Sequence, residues 1–248
     1  MPIDYPDPID WQDGFNHWVR LKAEHEAAGL AGKLDEIRQL LEVKTAEVMA
    51  LQEKGALAVD EPDDLEGIRS LRPPGRRRIW DEIPMAEYRD RLEGALLGRC
   101  AGCTLGAPVE FHPIGKMERW ADHIGDPFPP VRYWSAVERP HDLAYGVSPR
   151  WSFTPDRMDG VPTDDDIIYT LLGLLILEDN GPDFTTADVG SAWLEYLPYA
   201  HTAEKVALAN LRRGIPAAEA GSIDNPFVQF IGGDIRSDPW AYATPGFP

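Results

Sequence analysis

Cysteine is nearly absent from this chain of 248 residues, which carries only Cys100 and Cys103. They stand three positions apart with no second Cys pair or His cluster beside them, which excludes a four-ligand zinc finger. Basic charge is scarce as well: 24 Lys and Arg face 42 Asp and Glu, a formal net charge of −18. Phosphate binding rests on Lys and Arg that release counterions, so no nucleic-acid partner is expected. Long apolar runs are missing. The longest, Ile167 to Leu177, falls far short of the roughly 20 residues that cross a bilayer, and the opening MPIDYPDPIDWQDG lacks the basic and apolar regions of a leader. The expectation is a soluble cytoplasmic protein with no membrane partner. β-alternation of any quality is also lacking, which makes the expected fold class all-α. Against these absences, 43% of the residues are hydrophobic, enough to bury a core.

The acidity is uneven, with 16 acids and 11 bases before Trp80 and 26 and 13 after it. In the first part Leu30, Leu34, Ile37, Leu41, Val48 and Leu51 alternate steps of four and three, broken only by Lys44. This stripe predicts a helix from about 30 to 54. A shorter helix from about 15 to 28 precedes it, with Gly29 and Gly32 marking the break, so residues 1–54 read as a helical hairpin. The stripe either forms a coiled coil between two chains or lays one face on its own domain. Residues 55–84, with an acidic run at Asp60 to Asp64 and RPPGRRR from Arg72 to Arg78, read as a linker whose charges are solvated. Residues 85–248 form the main domain. Its first helix starts after Pro84 and shows apolar positions up to Gly98. A small-residue stretch follows to Pro113, and such residues let turns and helix ends approach closely. From Gly125 to Pro162 prolines and aromatics without a period indicate an irregular excursion packing through Trp134 and Trp151. Further helices are predicted at about 164–179, 185–196 and 202–213.

The sharpest chemical signal is Pro162-Thr163-Asp164-Asp165-Asp166 directly before IIYTLLGLLIL. A helix N-terminus favours one or two acids, and Thr163 is a reasonable N-cap, so a capped helix start is the plain reading. Three consecutive carboxylates nevertheless repel one another unless a cation or donors neutralise them. A hydroxyl beside carboxylates suits Mg2+ or Mn2+. Cys100 and Cys103 read either as a redox pair or as small residues buried in a tight junction.

Three segments together resemble the ADP-ribosylglycohydrolase family: GALLGRCAGCTLGAPVE at 94–110, PTDDDIIYTLLGLLIL at 162–177 and NPFVQFIGGDIRSDPWAYATPG at 225–246. The resemblance implies an all-α fold around two divalent ions, Mg2+ or Mn2+. It also implies hydrolysis of an N- or O-glycosidic bond to ADP-ribose in a modified protein or a small molecule. By the same resemblance Glu110 ends the small-residue segment in the active-site cleft and, or else an Asp of the cluster, serves as catalytic base. Thr163, Asp164 and Asp165 become metal ligands, while Asp238 and Asp166 become substrate-side acids. Many relatives have Asp where this chain has Arg99. The family pattern continues to an Asp-x-Asp motif that completes the metal pair, and this chain has none. The implied site is therefore half of the usual one, holding one ion or none, with turnover below the family's rate. A partner chain would cover the apolar faces of Ile167 to Leu177 and Val206 to Leu211. The competing reading is a non-catalytic remnant or interaction module of the same fold.

Overall fold

The computed structural model describes residues 8–51, 62, 64–136 and 151–247. The expected helix end near 54, Asp60, Glu61 and Asp63, and residues 137–150 of the excursion lie outside them, as does the Trp151 side chain. The described residues form ten α-helices and no strand, an all-α fold. The chain divides into two units, Met1–Pro74 and Gly75–Pro248. No described helix is long and apolar enough to cross a membrane.

In the first unit α1 (Pro8–Glu24) and α2 (Leu30–Met49) are joined through Gly29, which adopts φ 80°. Leu30, Leu34 and Ile37 are half-buried, but Leu41, Val48 and Leu51 are exposed and α2 buries no residue fully. Hairpin packing therefore covers only the first half of the stripe. Ion pairs Lys33–Glu36, Arg38–Asp35 and Lys44–Glu47, each at 2.8 Å, lie on exposed faces and contribute only about 0.2–0.5 kcal/mol apiece. Within the stretch read as linker, α3 (Leu65–Ser70) forms because the Asp64 carboxylate caps the Gly67 amide at 2.8 Å.

The second unit begins with α4 (Met85–Gly106), which runs unbroken through Gly98 and Gly102 and continues as a 3-10 turn, Ala107–Val109. The helix thus extends well past the expected end at Gly98. Interior glycine costs a helix only about 1 kcal/mol against alanine, a penalty that flanking helix formers outweigh. Among the described residues a Cβ at Gly94, Gly98, Gly102 or Gly106 would meet nothing within 4 Å, so no described helix packs tightly on these positions.

Next comes α5 (Ile114–Ile124), whose buried Trp120 stacks on Trp134 at 4.8 Å while the Trp134 indole N–H donates to the Leu105 carbonyl at 3.0 Å. Leu105, Val109, Met117 and Phe128 complete this smaller core. Trp134 thus packs as the excursion reading expects. Asp126 secures the returning loop: its carboxylate accepts from the Ser135 amide at 2.8 Å, the Ser135 hydroxyl at 2.7 Å and Arg132 at 2.9 Å. Burial alone would raise this carboxyl, but those three donors hold it below its usual range. Asp126→Asn is expected to cost about 1.5–3 kcal/mol in urea unfolding at neutral pH. A group with a depressed folded pKa contributes stability above its unfolded pKa and loses it as pH falls through the folded value. The gap between the two proteins should therefore shrink below about pH 3.9.

The larger core centres on α6 (Asp165–Asn180), which packs against α7 (Thr186–Tyr196) and α10 (Gly232–Ala243), while α8 (Thr202–Arg212) and the short α9 (Ala217–Ala220) pack on α7 and on each other, with Leu208 of α8 reaching the shared core. Tyr169, Leu172, Ile176, Ala192, Leu197 and Leu208 are its buried residues. Asn180-Gly181-Pro182 ends α6, and a capping box between Thr185 and Asp188 starts α7. The closest approach is between α6 and α10, where a Cβ at Gly173 would overlap the Pro239 ring. Gly173 therefore lets a helix with an internal proline lie flush on α6.

Candidate metal centre

The acid run opens α6, but the residue that caps the helix is Asp164, one position later than Thr163. Asp164 has extended backbone geometry and its carboxylate accepts from the Asp166 amide at 3.4 Å. Helix geometry then separates the three acids. Asp164 and Asp166 are half-buried, whereas Thr163 and Asp165 are exposed.

Opposite them stands α4. Arg99 and Cys103 are four residues apart and so share one helix face. The Cys103 sulfur and one oxygen each of Asp164 and Asp166 lie within 4.8 Å of one another. Burial first, then the charges of Asp164 and Asp166 and hydrogen bonds to them, push the Cys103 thiol up to about 12. The thiol thus lies against both carboxylates, whose charge works against its ionisation. Burial, and then Asp165 through a hydrogen bond and its charge, raise the Asp164 carboxyl above its ordinary value. The Arg99 guanidinium donates to the Asp166 carbonyl at 2.7 Å and pairs with the Asp238 carboxylate. One side chain on α4 thus ties the start of α6 to α10.

Glu110 is exposed at the end of the 3-10 turn and is not one of the three grouped residues. Of the residues expected from the sequence, the fold gathers Asp164 and Asp166 and places Asp238 on Arg99. Thr163 and Asp165 flank the group without entering it. Sequence reading missed Arg99 and Cys103 as members. The four-residue spacing was a usable signal once α4 is taken through Gly98. Two cavities of about 300 and 340 Å³ open elsewhere, beside Trp193 and Arg236, and neither is lined by Asp164, Asp165 or Asp166.

The ADP-ribosylglycohydrolase family model matches residues 84–246, about two thirds of the chain. No curated protein and no solved structure matches.

Proposed function

We propose that this chain, which belongs to the ADP-ribosylglycohydrolase family, hydrolyses the bond between ADP-ribose and an N- or O-linked leaving group at a carboxylate site that takes Mg2+ or Mn2+. The observation that carries the reading is the convergence of Asp164 and Asp166 with Cys103 at the head of α6, inside the matched segment. Two carboxylates beside a single thiol form an oxygen-dominated donor set, which fits Mg2+ or Mn2+ better than zinc. Asp164 and Asp166 would hold the ion, with Thr163 and Asp165 beside them as further ligands. When bound, such an ion lowers the pKa of a water and polarises ribose oxygens.

The remaining roles belong to protein groups. Glu110 accepts the proton of the attacking water while oxocarbenium-like charge develops at the anomeric carbon. Arg99 acts as a positioning residue, holding the backbone of Asp166 and the carboxylate of Asp238 so that the acids keep their spacing. Asp238 then borders the substrate as Arg99's partner.

Release of ADP-ribose from modified arginine and serine peptides, assayed with each cation, tests the reading. The expected result is cation-dependent release that falls about 10²–10⁴-fold in Glu110→Gln. Release that survives chelation, or that the Gln variant leaves untouched, would overturn the assignment.

A further inference from the structure

We propose that the N-terminal hairpin is a dimerisation device, in which α2 pairs antiparallel with α2 of a second copy of this chain and two hairpins close into one four-helix core. Nothing in this depends on the ADP-ribosyl reading. The hairpin has no core of its own. Among the described side chains of α1 and α2 none is fully buried, and partial burial is confined to Val19, Ala27, Leu30, Leu34 and Ile37, around the turn that joins the helices. Isolated helices of this length are marginal in water, and chains this short fold only with a further partner or staple. Both arms carry their partly covered face outward as exposed apolar side chains. On α1 this is Phe15, four residues before Val19, with Trp18 beside it; on α2 it is Leu41, four after Ile37, then Val48 and Leu51, with Leu40 at the edge.

Three observations make the occupant a second copy. The stripe on α2 repeats every 3.5 residues, the period that keeps one seam facing a like helix, whereas a helix laid on a globular surface follows 3.6. Phe15, Trp18, Leu40, Leu41, Val48 and Leu51 are 41–70% exposed. Together they leave about 700 Å² open on each chain, close to the roughly 800 Å² per partner that a stable pair buries. Charge points the same way. Residues 8–51 hold 8 acids and 5 bases, a small share of the chain's net −18, so two copies meeting here escape most of the repulsion between them.

The same stripe sets the orientation. Lys44 interrupts it between Leu41 and Val48 and pairs with Glu47 of its own helix at 2.8 Å. In a parallel pair Lys44 would meet Lys44 of the other copy at the same level, two ammonium groups in an apolar seam. In an antiparallel pair whose two-fold axis passes near Thr45 and Ala46, each Lys44 lies beside Glu47 of the other copy and each Leu41 beside Leu51. Four charges then alternate in sign around the axis. The contact is isologous, as a closed dimer requires.

Sedimentation and light scattering of the full chain at micromolar concentration test the pairing, and twice the chain mass is expected. Leu41→Asp combined with Val48→Asp should weaken association by more than about 100-fold. Lys44→Glu and Glu47→Lys should each weaken it by about tenfold, and an equimolar mixture of the two should recover a mixed dimer. The like-charge contact inside each variant helix persists in the mixture, so recovery reads the contact between copies alone. Cysteine placement reads the orientation. Under mild oxidant Leu41→Cys mixed with Leu51→Cys should cross-link while neither does so alone, with the parent, which carries only Cys100 and Cys103, as control. A monomeric parent would overturn the pairing and leave the stripe to another part of this chain or to a different protein. A dimer untouched by the two aspartates would put the interface elsewhere and overturn it as well, as would a mixture of the charge variants that stays as weak as either. Leu41→Cys cross-linking to itself would mean a parallel seam and overturn the antiparallel arrangement.

Discussion

Asp164→Asn is expected to abolish the stabilisation of the chain by Mg2+ or Mn2+ and to cut cation-dependent release of ADP-ribose by about 100-fold or more. The size follows from the proposed chemistry. A ligated cation supplies several kcal/mol of transition-state stabilisation, and about 2.7 kcal/mol already corresponds to a factor of 100. Asn is the informative replacement because it caps a helix as well as Asp does, so α6 keeps its start while one anionic oxygen donor is lost. In the parent, cation at 100 times its Kd should add about 2.7 kcal/mol to unfolding stability. Thermal melts with and without cation read this directly. Asp165→Asn provides the comparison: Asp165 is exposed and stands outside the grouped donors, so its replacement should leave a larger share of the shift. An undiminished shift in Asp164→Asn would remove Asp164 from the ligand set.

Glu204→Ala is expected to lower stability by about 3–5 kcal/mol, the usual cost of stranding one partner of a buried ion pair. Glu204, on α8, is only 5% exposed and pairs with Arg236 of α10, whose guanidinium also lies 5.8 Å from the centre of the Trp193 ring. A Cβ at Gly232 would overlap the Glu204 carboxylate, so the head of α10 closes directly on this pair. Removing the carboxylate leaves a partly buried cation between α6, α7 and α10 with no counter-charge. Chemical denaturation measures the loss. The double variant Glu204→Leu with Arg236→Met should recover most of it, because an apolar pair of similar volume avoids the desolvation cost. If the single variant is as stable as the parent, the pair does not hold α8 to α10.

Part of this molecule is legible without coordinates. The spans of α6, α7 and α8 follow from apolar spacing bounded by Thr185, Asn180-Gly181-Pro182 and Leu197-Pro198, because caps and breakers act within a few residues. α5 is not among the helices expected from the sequence, although Ile114, Met117, Trp120, Ala121 and Ile124 recur at helical spacing; its eleven residues between Pro113 and Gly125 follow a small-residue stretch that reads as turns. In contrast, α10 contains Pro239 and begins with two glycines, features that argue locally against a helix; contact with α6 at Gly173 outweighs them.

The sequence by itself determined the all-α class, the acid run at the head of α6 and the three segments that carry the family resemblance, since each is written in adjacent residues. Only the tertiary structure decided that Asp164 and Asp166, rather than three acids in a row, face Cys103. It also decided that Arg99 takes up Asp238 and that Glu204 is buried against Arg236. The physical reason is range. Periodicity and capping are set by neighbours along the chain, whereas the partner of a charge depends on which helix faces cross, and that is settled by burial of apolar surface across residues far apart in sequence.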